Sequence, residues 1–321
     1  MNPHAIIVQP GAERAQMQAD HPHARSTAAT GIQVFIKEMT MQNVHGMGCW
    51  CCVGRSWRRR TLLGAGLVLS SDWALAREGV EVGGNSVFTK LVPAETIEQS
   101  SAVQYRKMLQ QAAAQRALAP DDHPQVRRLR SIAKAIIPHT LSWNPRAKDW
   151  RWEVNLIGSN QINAFCMPGG KIAFYSGILE QLRLTDDEVA TVMGHEAAHA
   201  LREHARERIG KTAATGIGAS LLSQMLGLGE LGQTVTNYGA RLLTLRFSRE
   251  DESEADLVGM ELAARAHFDP RAGVSLWQKM AQASKGAPPQ WLSTHPSSQT
   301  RIHDIEANLP KVLPLYQRSA G

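Results

Sequence analysis

Cysteine is scarce in this chain. Of the four present, Cys49, Cys51 and Cys52 fall in a leader argued below to be removed. Only Cys166 then remains. Residues 77–321 therefore form no internal disulfide, and an oxidising compartment is neither required nor excluded. Long apolar runs are missing too. The run at 61–70 is too short to span a bilayer comfortably, and no cysteine follows it to carry a lipid. Aromatic residues make up 6% of the chain and are not interleaved with a basic stripe, so nucleic acid is not an expected partner. The formal charge of +6 does not alter this. Taking the seven basic and four acidic residues of 1–76 from totals of 35 and 29 leaves 28 and 25, a mild +3. No internal repeat is visible. What remains, 77–321, is long enough for one substantial core.

What is present is concentrated chemistry. His195-Glu196-Ala197-Ala198-His199 is an H-E-x-x-H sequence. Residues four apart share one helix face, so His195 and His199 can present two imidazoles to one metal ion. Glu196 stands beside them, placed to take a proton from the attacking water, as in zinc metallopeptidases. The flanks support a helix. Thr185 and Glu188 have capping-box spacing, and Leu184 and Val189 occupy the hydrophobic-staple positions. Asp186 and Asp187 suit the positive end of the helix dipole. Gly194 costs helix stability but leaves room for a close neighbour.

A zinc site needs three protein ligands and one open position. Glu252 and Asp256 are spaced by one helical turn. Glu252 is a candidate third ligand, and Asp256 can hydrogen-bond a ligand histidine and fix its tautomer. Glu254 points elsewhere on the helix and is the competing choice.

Four ordered segments then carry a resemblance: 163–170 (Asn163 to Gly170), the H-E-x-x-H helix, 248–256 (Ser248 to Asp256), and Ser293-Thr294-His295-Pro296. Across about residues 95–310 the chain resembles the HtpX and CAAX-prenyl-protease type of gluzincin metallopeptidase. It is most similar to the soluble, periplasmic BepA- and LoiP-like members, without the tetratricopeptide tail of the former. The resemblance implies a mainly helical α+β zincin-type domain with a small β-sheet beside the H-E-x-x-H helix. It implies one zinc ion per chain on His195, His199 and Glu252, with Asp256 behind them. It also places His295 at the metal, in the open position of a resting state. Physically, a neutral imidazole can ligate zinc and a protonated one can stabilise an oxyanion, and both roles stay open. Arg301 follows in the family pattern and is expected to pair with an acidic group. His204 and His303 have no such support and read as surface or structural.

Residues 152–157 alternate as a strand, Pro168-Gly169-Gly170 signals a turn, and 171–175 reads as a second strand. A β-hairpin beside the catalytic helix is expected. In metallopeptidases of this type an edge strand receives extended substrate through backbone hydrogen bonds. Asn163, Gly169, Gly170, Lys171 and Ile172 are the expected substrate-binding residues. Such recognition depends weakly on side chains and suits an endopeptidase of unfolded or misassembled envelope proteins. An assembly chaperone with a latched zinc site is the alternative reading.

Residues 1–76 read as an address. Arg58, Arg59 and Arg60 precede the apolar run, and Ala74-Leu75-Ala76 offers a small-x-small cleavage site. The signal is of Sec or twin-arginine type, with export to the periplasm. The stretch before it is polar and aperiodic, and Met39, Met41 or Met47 is the expected true start. A single domain over 77–321 follows, with helices within 94–137 and a catalytic core at 150–310. The apolar, glycine-rich 212–232 reads as a flap touching a membrane surface or as ordinary core packing, rather than as a membrane span.

Overall fold

The computed structural model describes residues 78–214, 242, 245–285, 289–296 and 299–319. The leader expected at 1–76 lies outside the described residues, as does 212–232 from residue 215 onward. Helix α1 spans Ala94–Ala114 and α2 spans Pro124–Ile136. Both lie within the expected 94–137, and a turn ends α1 after Ala114. Arg116 adopts φ 56° there, and the amides of Ala117 and Leu118 turn back onto the Ala112 carbonyl. Leu118 leaves the helix to bridge Ile157. Helix α2 opens on Pro124, at a position that needs no amide donor, with His123 Nδ1 accepting from the Gln125 amide.

Strands β1 (Glu153–Ile157), β2 (Ala164–Met167) and β3 (Lys171–Tyr175) form one sheet in the order β1-β3-β2. This corrects the expected hairpin. The three-residue turn at 168–170 is too short to do anything but fold β3 antiparallel onto β2, the segment just before it. Strand β1 instead pairs parallel with β3 from the other side. Gly169 and Gly170 make the turn at φ 85° and 73°, and a Cβ on Gly170 would lie 2.7 Å from the Trp152 ring.

Helix α3 (Ser176–Gln181) leads into α4 (Asp186–Leu201), which carries the H-E-x-x-H sequence. The capping box is formed: Thr185 Oγ1 accepts from the Glu188 amide, and Glu188 Oε2 accepts from the Thr185 amide. Leu184 and Val189 are both buried. Glu188 also takes Ser275 Oγ at 2.8 Å and Lys279 Nζ at 2.6 Å, which ties the start of α4 to a later helix. Helices α5 (His204–Ala214), α6 (Arg249–Arg265), α7 (Ala272–Ala283), α8 (Gln290–Thr294) and α9 (Gln299–Ser319) complete the described chain. The result is a mainly helical α+β domain with a small sheet against α4. Among the described residues no helix is long and apolar enough to cross a membrane.

Helices α4 and α6 form the main packing contact of the core. The close neighbour of Gly194 is Gly259 of α6. A Cβ on Gly194 would lie 2.6 Å from the Gly259 carbonyl oxygen, and one on Gly259 would lie 2.6 Å from the His195 amide nitrogen. The two backbones touch, which is what lets α6 deliver Glu252 and Asp256 to the histidines of α4. Gly194→Ala is therefore expected to destabilise the protein by about 1–3 kcal/mol through overpacking, although alanine is the better helix former. A lower urea midpoint at unchanged m-value would confirm it. An unchanged or raised midpoint would show that the helices can separate at no cost.

Candidate metal centre

His195 and His199 point from one face of α4, with their Nε2 atoms 3.1 Å apart. Two nitrogens bound tetrahedrally to one zinc at 2.0–2.1 Å would lie about 3.3–3.4 Å apart. The first turn of α6 brings Glu252, whose oxygens lie 3.6 Å from His195 Nε2 and 3.5 Å from His199 Nε2. Its own capping box, between Ser248 and Asp251, fixes that turn. His295, just after α8, places Nδ1 at 3.3 Å from His195 Nε2 and 3.0 Å from Glu252 Oε1. Ligand atoms of all four buried residues lie within 4.8 Å of one another.

The donor set fits a divalent cation. The Nε2 atoms of His195 and His199 face each other, and one proton at most can lie between them. Glu252 Oε2 is buried and accepts no hydrogen bond from the described residues, although Arg301 Nη1 lies 2.7 Å away as a charge contact. Buried polar atoms left in this way are costly unless something satisfies them. Two imidazoles and a carboxylate are ligands that zinc takes readily.

The surrounding charges set the protonation states. Burial and the neighbouring histidines push His199 well below its ordinary value, which keeps its ring neutral, the form that ligates. Burial raises the Glu252 carboxyl, but His295, His195 and Arg301 outweigh it and leave Glu252 below the usual carboxylate range. Burial alone would lower His295. Glu196 and Glu252 reverse this and raise it.

Asp256 stands behind His195, with Oδ1 at 3.0 Å from Nδ1. That contact keeps the proton on Nδ1 and leaves Nε2 free. Arg301 pairs with Asp256 as the sequence suggested, through Nε at 2.6 Å and Nη2 at 2.7 Å, and its guanidinium lies 3.8 Å from the centre of the Trp277 ring. Against the penalty of burial, Arg301 and His195 hold Asp256 down to about 2.

Glu196 is not among the clustered donors. Its Oε1 accepts a 2.6 Å hydrogen bond from Trp291 Nε1 and lies 3.5 Å from His295 Nε2. Trp291 stacks on Trp277, with ring centres 5.3 Å apart. No sequence pattern pointed to Trp291; its only signal was lying one helical turn before His295.

A cavity of about 310 Å³ opens beside the cluster. Its walls are residues 163–168, Glu196 and His199 of α4, and Leu245, Phe247, Thr294 and His295. Phe247 stacks on the His199 ring at 4.0 Å, and its amide donates to the Thr294 carbonyl. Strand β2 forms one wall, and among the described residues its outer edge pairs with no other strand. The residues expected to bind substrate are divided between this cavity and other places. Asn163 lines the cavity, but Lys171 and Ile172 lie on the central strand, with partners on both sides. Lys171 Nζ is held by Glu153 at 2.7 Å and by the Arg151 carbonyl. Gly169 and Gly170 shape the turn and face Glu98 and Trp152 instead.

Glu254 does not approach the metal donors. Its oxygens take His204 Nε2 at 3.2 Å and Arg202 Nε at 2.5 Å. His204 is buried, not at the surface, and places Nδ1 at 2.9 Å from His199 Nδ1. His303 is exposed on α9, as expected.

Comparison with known proteins agrees with this geometry. The chain is 36% identical over 197 residues to Mitochondrial metalloendopeptidase OMA1 of Schizosaccharomyces pombe, covering 60% of this chain and 56% of that protein. It is 31% identical over 171 residues to the Beta-barrel assembly-enhancing protease of Yersinia pestis, covering 50% and 35%. It is 28% identical over 199 residues to Metalloprotease LoiP of Escherichia coli, covering 59% and 72%. The chain spans between 30% and 62% of the length of four OMA1 proteins from fission yeast, Arabidopsis, cattle and budding yeast. The profile of Peptidase family M48 matches residues 123–309, more than half of the sequence, and the chain belongs to that family.

Proposed function

We propose that this protein is a zinc-dependent endopeptidase that cleaves unfolded or misassembled proteins of the cell envelope. The observation that carries the reading is the placement of Glu196. Its carboxylate lines one cavity with His199 and strand β2, whose outer edge pairs with no other strand among the described residues. His195, His199 and Glu252 would hold the metal, and a bound zinc supplies a Lewis acid that acidifies water and polarises the scissile carbonyl. Glu196 is the proton acceptor, and it later returns the proton to the leaving nitrogen. Trp291 holds Oε1 of Glu196, which leaves Oε2 for the proton. The free edge of β2 would take an extended substrate by backbone hydrogen bonds, so selection falls on unfolded chain rather than on particular side chains. Export rests on the signal-like 58–76, and peripheral membrane contact rests on 212–232. The names of the similar proteins support the activity, as mitochondrial metalloendopeptidases and a β-barrel assembly-enhancing protease, and the second of them suits the envelope setting.

A second reading has a specific observation behind it. His295 is buried with Nδ1 among the metal donors, and Nε2 faces Glu196. A site closed in this way suits a binding factor for envelope assembly whose hydrolysis is latched. Cleavage of an unfolded protein such as casein, with bound metal quantified, separates the two. The endopeptidase reading expects metal-dependent cleavage that a zinc chelator removes and that His295→Ala increases. No cleavage by either protein at one equivalent of bound metal, with casein still bound, would overturn it in favour of the binding factor.

A further inference from the structure

We propose that His204 and Glu254 are positioning residues for His199. They hold its imidazole in the tautomer that leaves Nε2 unprotonated for the metal. The proposal rests on the reading of His199 as a metal ligand.

The argument follows the protons. Glu254 is a carboxylate. Its Oε1 is paired with the Arg202 guanidinium, a fixed cation that accepts nothing. A carboxylate only accepts, so the proton on the 3.2 Å contact belongs to His204 Nε2. In the neutral ring His204 Nδ1 then carries a lone pair. It faces His199 Nδ1 at 2.9 Å, so the proton there belongs to His199. His199 Nε2 is left with its lone pair directed at His195 Nε2 and Glu252. The chain of contacts ends at Arg202, whose Nε fixes Glu254 Oε1 at 2.5 Å and whose Nη2 donates to the Gly83 carbonyl.

The backbone is arranged to make this contact. Helix α4 ends at Leu201 with Arg202 as its cap. Glu203 then adopts φ 58°, in the left-handed region that non-glycine residues rarely enter. That single residue reverses the chain so that the first residue of α5 packs its ring edge-on to His199, with centres 5.0 Å apart. Each histidine of the H-E-x-x-H sequence thus has its own support anchored by an arginine. Asp256 and Arg301 serve His195, while His204, Glu254 and Arg202 serve His199. The two supports differ in kind. One is a carboxylate accepting directly, and the other is a neutral imidazole interposed before the carboxylate.

The test is zinc affinity of the full protein, measured by competition with a chromophoric chelator. It compares wild type, His204→Phe, His204→Gln, Glu254→Gln and His199→Ala, with helix content by circular dichroism as the folding control. Phenylalanine keeps the aromatic packing against His199 and Phe247 but accepts no hydrogen bond. Glutamine can accept from His199 and donate to Glu254. The proposal expects His204→Phe to weaken zinc binding by about 10–100-fold, the usual cost of losing such a partner. It expects His204→Gln to stay closer to wild type, and Glu254→Gln to cost less than His204→Phe. Long-range ¹H–¹⁵N spectra of the zinc-loaded wild type should place the protons on His199 Nδ1 and His204 Nε2. Unchanged affinity in His204→Phe, equal losses in the phenylalanine and glutamine variants, or a proton on His204 Nδ1 would overturn the proposal while leaving the metal site standing. Wild-type zinc affinity retained by His199→Ala would instead overturn the metal-ligand reading, and this inference with it.

Discussion

Glu196→Gln is expected to lower turnover of an unfolded protein by about 10²–10⁴-fold, the range a lost general base costs. Metal content and stability should stay near wild type. The reason is in the contacts. Glu196 lies outside the donor cluster, so the metal loses no ligand. Glutamine Oε1 can still accept the hydrogen bond from Trp291 Nε1 that Glu196 Oε1 accepts at 2.6 Å. What glutamine cannot do is take a proton. Glu196→Ala is a poorer probe, because it would leave the buried indole N–H unsatisfied at a cost of about 1–3 kcal/mol. Turnover, bound metal and thermal midpoint measured together decide the matter. Normal turnover in Glu196→Gln would remove Glu196 from the chemistry and with it the mechanism proposed for this site.

The largest expected effect on stability is at Arg301. Its guanidinium is buried between two carboxylates, with Nε 2.6 Å from Asp256 Oδ2 and Nη1 2.7 Å from Glu252 Oε2. Arg301→Met keeps much of the side-chain volume and leaves both carboxylates without their cation. Breaking a buried pair in this way costs about 3–5 kcal/mol. The loss should depend on pH in a defined direction. In the wild type, Asp256 is held at about 2, below its unfolded value near 3.9. Its contribution is therefore fully present above about pH 4 and is lost as pH falls through about 2. Without Arg301, burial raises these carboxyls, so they take up protons readily and the variant is relieved as pH falls. The gap between wild type and variant should be widest near pH 7 and narrow toward pH 3. Urea midpoints of the metal-free proteins across that range measure it. A gap that does not change with pH would mean that lost packing on Trp277, not lost charge, is what the substitution removes.

The arrangement also explains why one short segment matters twice. Trp291 and His295 lie one turn apart on and just after α8, and the His295 amide donates to the Trp291 carbonyl at 2.9 Å. The first residue holds the proton acceptor, and the second occupies the donor cluster. Any displacement of α8 that frees the metal position also removes a support from Glu196. An increase in activity of His295→Ala is for that reason a cleaner probe of the latch than a substitution that moves the helix.

The sequence by itself determined what is local. An i, i+4 pair of histidines, a capping box and a staple all act within one helix, and the periodicity that sets them is independent of the rest of the fold. Helices within 94–137, the face shared by Glu252 and Asp256, and the room for a close neighbour at Gly194 were legible for the same reason; the end of the first helix was not. Only tertiary structure decided what is non-local. Strand β2, Ala164–Met167, is short and apolar without alternation, so no pattern separated it from a loop. Its pairing with β3, and that of β3 with β1, depends on chain reversal and on packing against α4. The neighbour of Gly194, the hold of Trp291 on Glu196 and the contact of His204 with His199 join residues through space that no spacing rule connects. Even where His204 is only five residues from His199, the left-handed turn at Glu203 had to fold the chain back before the two rings could meet.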